Sequence, residues 1–281
     1  MIGIASACER LRHRELQAPS WATTNTPQEY PLTSRRLDWT IPQAPTRSFG
    51  AALFDLDGVL TPTADVHMAA WRRMFTGYFV THGVTPAYSD EDYFAYVDGK
   101  PRYDGVRACL ASRGIVLPEG HPDDPAGDGT ICALGNAKND AFNEVLADEG
   151  VEPYPGSVAL LDHLETLGTP MAVVSSSRNA ADVLKVAGLA HRFTVVVDGK
   201  VAAHEAIAGK PAPDTYEYAA RLLGVDTTDC VVVEDAISGV QAGAAGDFAL
   251  VVGVDRGAGA EDLLLHGAAV VVSDLGELME K

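Results

Sequence analysis

Five short apolar runs punctuate the second half of the chain: "MAVVSS" at 171–176, "FTVVV" at 193–197, "CVVVED" at 230–235, "FALVVGV" at 248–254 and "AAVVVSD" at 268–274. Between them lie "AADVLKVAGLA", "PDTYEYAARLLG" and "SGVQAGAAG", whose apolar residues recur at helical rather than alternating intervals. Continuous Val-rich runs fit strands buried on both faces, and their alternation with helices predicts a parallel sheet covered on both sides. A sixth run, "AALF" at 51–54, stands far upstream. After it, "ADVHMAAWRRMFTGYF" has helical spacing, with Val66, Met68, Ala69, Phe75 and Phe79 on one face. "DEDYFAYV" and "NAKNDAFNEVLADEG" continue in the same manner, and no strand pattern returns before about residue 150.

The predicted fold is therefore α/β: a Rossmann-like parallel sheet with helices on both faces, carrying a small all-helical insert after its first strand. Its boundaries are 49–63 and 151–281 for the core and 64–150 for the insert. Residues 1–48 have six Arg against four acidic residues, prolines at 19, 27, 31, 42 and 45, and no sustained period. They read as a flexible extension with a short helix at Glu9–Gln17. "EGHPDDPAGDGT" at 119–130 is a polar loop whose carboxylates lack the spacing of a calcium-binding EF-hand.

Composition narrows the function. A net charge of −18 over 281 residues argues against a nucleic-acid surface, which needs clustered cations to neutralise phosphates. Cys8, Cys109, Cys132 and Cys230 are scattered, so neither a zinc site nor a disulfide framework is expected. No run of about 18 apolar residues spans a membrane, and Glu9 and Arg10 interrupt the first short one. A cytoplasmic protein is expected.

The chemistry-bearing residues gather where such sheets bind ligands, at the carboxyl ends of strands. Asp55 and Asp57 follow "AALF", Ser175 follows "MAVV", and Glu234 and Asp235 close "CVVV". Lys210 precedes a helix begun by Pro213 and Asp214. Carboxylates converging from two strands require a cation, and a hard divalent ion such as Mg²⁺ suits an all-oxygen set. Beside it, a lysine and a serine hydroxyl make a pocket for a transferring phosphoryl group. The loop "SSSRNAAD" opens a helix, so its amides are expected to face the anion.

In order, "FDLDGVLT", "VVSSSRN", "GKPAPD" and "VVVEDAISGVQAG" resemble the four motifs of the haloacid dehalogenase (HAD) superfamily over residues 50–275. That resemblance implies that Asp55 is a nucleophile forming an aspartyl-phosphate and Asp57 the general acid and base. It implies Ser175 and Lys210 as holders of the phosphoryl group. Mg²⁺ would lie on Asp55, the Asp57 carbonyl and Asp235, with Glu234 in or next to that shell. Haloacid dehalogenases lack the second aspartate and transport ATPases carry Thr there, so Asp57 favours phosphatases and phosphomutases of small substrates.

The insert falls where the superfamily places a cap, and the chain resembles most the β-phosphoglucomutase family. Thr63, His67 and Trp71 follow the first motif at that family's spacing, "GKPR" offers Arg102 and "AKND" offers Lys138. In "SSSRN", Ser176, Ser177, Arg178 and Asn179 complete the implied substrate-binding set, although Trp71 reads first as insert core. Pro62, where the family usually has an acidic residue, and Lys100-Pro101 depart from it. The implied reaction interconverts β-glucose 1-phosphate and glucose 6-phosphate through glucose 1,6-bisphosphate. A sugar-phosphate phosphatase with the same residues is the alternative. A non-catalytic domain on this fold would have lost a core carboxylate or the lysine, and none is lost. The expected partner is a small phosphorylated sugar, bound by a monomer or weak homodimer.

Overall fold

The computed structural model describes residues 39–279. It begins with order where the sequence pattern predicts a flexible extension. β1 (Trp39–Ile41) and β2 (Ala44–Phe49) pair antiparallel. Trp39, Ile41 and Phe49 are fully buried, and the two aromatic rings meet edge to face at 5.8 Å. Residues 39–48 thus belong to the folded body: three apolar side chains outweigh a sequence that is otherwise polar and proline-bearing. The expected helix at Glu9–Gln17 lies outside the described residues.

After β3 (Ala51–Phe54), the first strand of the main sheet, come α1 (Thr63–His82), α2 (Asp90–Asp92), α3 (Arg102–Ala111) and α4 (Ile131–Glu149). α2 runs directly into a π-turn at Tyr93–Val97. Phe75, Phe79, Val106, Leu110 and Leu134 make a core of their own among these helices. Pro62 occupies the position preceding α1, and Gly83 closes that helix in the left-handed region.

After α5 (Pro155–Leu167) come β4 (Met171–Val174), α6 (Ala180–Val186), β5 (Val195–Val197) and α7 (Gly199–Glu205). There follow α8 (Asp214–Leu223), β6 (Cys230–Glu234), α9 (Ile237–Ala245), β7 (Leu250–Val254), α10 (Ala260–Leu265) and β8 (Val270–Val272), and then a 3-10 turn at Leu275–Leu278. Every predicted strand is present, and the six form one parallel sheet in the order β5-β4-β3-β6-β7-β8. Successive residues feed opposite cores: Ala52, Phe54, Val231 and Val233 on one face, Ala51, Leu53, Cys230 and Val232 on the other. Burial on both faces is why these strands read as unbroken apolar runs.

From β3 the chain goes first to β4 on one side and later to β6 on the other. The strand order reverses at β3, and its carboxyl end opens the crevice where doubly wound sheets bind ligands. Among the described residues no helix is long and apolar enough to cross a membrane. Cys109, Cys132 and Cys230 are buried free thiols.

Candidate active site

Asp55 leaves β3 and is held by Lys210, whose Nζ donates to Asp55 Oδ1 and Glu234 Oε1 at 2.5 Å each and to the Val174 carbonyl at 3.0 Å. Lys210 comes from the loop ahead of α8, while Tyr216 on that helix donates its hydroxyl to Glu234 Oε1 at 3.2 Å. The other Glu234 oxygen accepts the Ala236 amide at 2.9 Å. Both oxygens of Glu234 are engaged from within the protein, so it braces Lys210 and the turn after β6.

Asp57 sits beyond a tight loop. Gly58 donates its amide to the Thr61 carbonyl at 2.7 Å and has φ +82°. A Cβ there would lie 1.8 Å from Asp235 Oδ2, so only glycine lets this loop approach that carboxylate. Outside the loop, Arg256 Nε donates to the Gly58 carbonyl at 3.0 Å, Ser157 to that of Val59 at 2.7 Å, and the Tyr154 amide to that of Leu60 at 3.0 Å. Thr63, fully buried at the start of α1, donates to Asp57 Oδ1 and contacts Thr61 Oγ1 at 2.8 Å. Thr63 therefore orients Asp57 and does not line the cleft. Ser175 Oγ faces Asp57 Oδ2 at 3.4 Å.

The amides expected to face an anion are partly engaged. Ser177 donates its N–H to Ser175 Oγ and Asn179 to Ser177 Oγ, each at 3.1 Å. A serine hydroxyl after a strand competes for nearby backbone donors in this way. Ser176 donates to the Gly99 carbonyl at 2.8 Å, and Arg178 lines the cleft with it.

Opposite this edge, the helical segment supplies cations. Lys138 on α4 is buried, with Nζ against His67 Nδ1 and over the rings of Trp71 at 5.2 Å and Phe142 at 4.9 Å. His67 stacks on Phe142 at 4.1 Å, and its Nε2 stands 3.4 Å from Asp57 Oδ1 without hydrogen-bond alignment. Trp71 is buried and stacked on Phe75 at 5.5 Å, with one edge on the cleft: it is chiefly core, as its sequence context suggests. Arg102, at the start of α3, reaches Asn139 Oδ1 at 2.6 Å and Asn136 Oδ1 at 3.4 Å. Asn179 donates to the same Asn139 oxygen at 2.7 Å, so it acts on Arg102 through a residue the sequence did not single out. Asp98 and Tyr93, also unforeseen, line the same cleft. A lone aspartate in a loop carries no spacing signal.

Charge is arranged with strong opposing effects. Burial pushes the Asp55 carboxyl well above its usual range; Lys210 works against this, and the Glu234 and Asp57 charges reinforce it. Asp235 is likewise pushed well up by burial and by Glu234, Asp98 and Asp55. Lys210 is held well above the ordinary lysine value because Asp55 and Glu234 outweigh its burial. Asp57 goes the other way, to about 2, since His67, Thr63 and Lys138 overcome its burial. Burial and Lys138 draw His67 below its ordinary value, against the pull of Asp57. Lys138 falls to about 7 through burial and Arg102, and Asp98 rises to about 6 through burial and Glu234.

Asp55, Glu234 and Asp235 place oxygens within 4.8 Å of one another, the one cluster of metal-ligating side chains among the described residues. The 119–130 loop supplies none. An all-oxygen set whose like charges raise both aspartates fits a hard divalent cation.

Residues 49–247 match the family model described as a hydrolase, haloacid dehalogenase-like hydrolase. The chain belongs to the haloacid dehalogenase-like hydrolases. Among curated relatives of this haloacid dehalogenase-like protein, a β-phosphoglucomutase of Mycobacterium bovis is 48% identical over 238 residues, 82% of this chain and 91% of that one. Hexitol phosphatase A of Escherichia coli is 33% identical over 69% of this chain and 77% of its own. The crystal structure of β-phosphoglucomutase from Clostridium difficile superposes with a TM-score of 0.65 at 24% identity, over 82% of this chain and 93% of that one, a likeness of fold.

Proposed function

We propose that this haloacid dehalogenase-like enzyme is a Mg²⁺-dependent phosphomutase that interconverts β-glucose 1-phosphate and glucose 6-phosphate through glucose 1,6-bisphosphate. The observation that carries this reading is the two-ended cleft. Asp55, Lys210 and Ser175 form a reacting end, while Arg102, set by Asn136 and Asn139 and backed by Lys138, forms a second cationic end. A bisphosphate needs both ends, and the long match to a β-phosphoglucomutase supports the same substrate.

Asp55 attacks phosphorus and forms an acyl phosphate as the P–O bond to the sugar breaks. Asp57, ionised at rest, takes the proton of the acceptor hydroxyl that attacks the phosphoryl group and returns it to the departing sugar oxygen in the next transfer. Lys210 and Ser175 hold the equatorial oxygens as charge develops on them. Mg²⁺, held by Asp55, the Asp57 carbonyl and Asp235 with Glu234 behind them, would neutralise phosphoryl charge and the repulsion among the carboxylates. Residues 64–150 act as the cap that keeps water from the acyl phosphate.

The match to hexitol phosphatase A favours a second reading, hydrolysis of a sugar or polyol phosphate with water as acceptor. One incubation separates them: purified protein, β-glucose 1-phosphate, Mg²⁺ and a trace of glucose 1,6-bisphosphate, following glucose 6-phosphate and free phosphate. Isomerisation with little phosphate release is expected; release alone sinks the mutase reading. Asp55→Asn is expected to lower either activity by more than about a thousandfold, and retained turnover would remove Asp55 as nucleophile.

A further inference from the structure

A carboxylate stands in this anion-binding cleft without a role in phosphoryl transfer. Asp98 follows the π-turn, and its side chain lines the same cleft as Asp55, Arg102 and Ser175. Tyr93, at the start of that turn, lines the cleft with it. Lys210, the cation that acts on it, is engaged by Asp55 and Glu234.

Its backbone is fixed from the sheet side. Ser238 on α9 donates to the Asp98 carbonyl at 3.2 Å and Ser176 to the Gly99 carbonyl at 2.8 Å. Gly99 has φ +67°, and a Cβ there would meet Ser238 Oγ at 2.1 Å, so the chain turns this close only through glycine. Two hydroxyls thus seat the loop on the core and fix the backbone from which the Asp98 side chain enters the lining of the cleft.

A carboxylate on so fixed a backbone repels phosphate and accepts hydrogen bonds from hydroxyls. We propose that Asp98 is a specificity-determining residue that accepts a hydrogen bond from a sugar hydroxyl and bars a second phosphate from its position. This rests on the reading of the protein as a sugar-phosphate enzyme, mutase or phosphatase alike. Asp98 then orients the neutral ring between the two anionic ends, and a phosphorylated compound without hydroxyls gains nothing from it. Discrimination arises from the attraction and the repulsion together.

The test compares β-glucose 1-phosphate with acetyl phosphate, which has a transferable phosphoryl group and no hydroxyl. Loss of a charge-assisted hydrogen bond corresponds to about ten- to a hundredfold. Asp98→Asn is expected to lower kcat/KM for the sugar phosphate relative to acetyl phosphate by that factor, chiefly through KM. Deoxy-sugar phosphates provide an arm that needs no variant: one of them should lose the same factor with the unaltered protein and lose no more with Asp98→Asn. An unchanged substrate ratio, or unaltered protein that treats every deoxy analogue like the parent, overturns the assignment. Failure of the unaltered protein to turn over either phosphate strikes the phosphoryl-transfer reading itself, a different result from an unchanged ratio.

Discussion

Lys138 combines burial, two aromatic faces, a histidine and an arginine neighbour, and its ammonium is correspondingly easy to discharge. The sign of the pH effect follows. The cation is present below its folded-state value of about 7 and is lost as pH rises through it. We expect kcat/KM for a sugar phosphate to fall on that alkaline limb and Lys138→Arg, whose guanidinium stays charged, to flatten it. A profile of kcat/KM from pH 6 to 9 checks this, and an identical limb in the variant would remove Lys138 as its source. Asp57 shows why single residues were legible here and their partners were not. Two aspartates behind an apolar run invite a chemical reading, whereas Asn139, which sets Arg102, looks like any polar helix residue.

At the scale of elements, the sheet was readable because burial on both faces demands continuous apolar strands, a pattern that survives in "CVVV" and "MAVV" without context. The β1–β2 hairpin was not. β2 reads APTRSF, with four consecutive exposed positions and a proline, and its place in the fold depends on Phe49 and on Trp39 and Ile41 in β1. The packing expected of Trp39 gives it a measurable weight. Trp39→Ala is expected to cost about 3–5 kcal/mol, lowering the melting temperature by about 6–20 °C. A shift under about 2 °C in thermal unfolding would mean that the hairpin adds little to the fold.

For the whole molecule, the unresolved tension is charge. Asp55 and Asp235 are both pushed up by burial and like-charged neighbours, and an ion between them relieves what the protein alone does not. Mg²⁺ is therefore expected to stabilise the native state as well as to support turnover. At a hundredfold excess over its Kd the gain is about 2.7 kcal/mol, a rise of about 5–11 °C in melting temperature. Chelation should reverse this and abolish activity; a melting temperature indifferent to Mg²⁺ would contradict the carboxylate site.

The loop behind the nucleophile has a further consequence. Its carbonyls at Gly58, Val59 and Leu60 are held by Arg256, Ser157 and Tyr154, residues about a hundred to two hundred positions later in the chain. A polypeptide emerging from the ribosome carries Asp55 and Asp57 early, with Thr63 close behind, whereas the last of these supports, Arg256, follows β7. The loop that carries the two carboxylates therefore gains its full set of contacts only when nearly all of the sheet has been made.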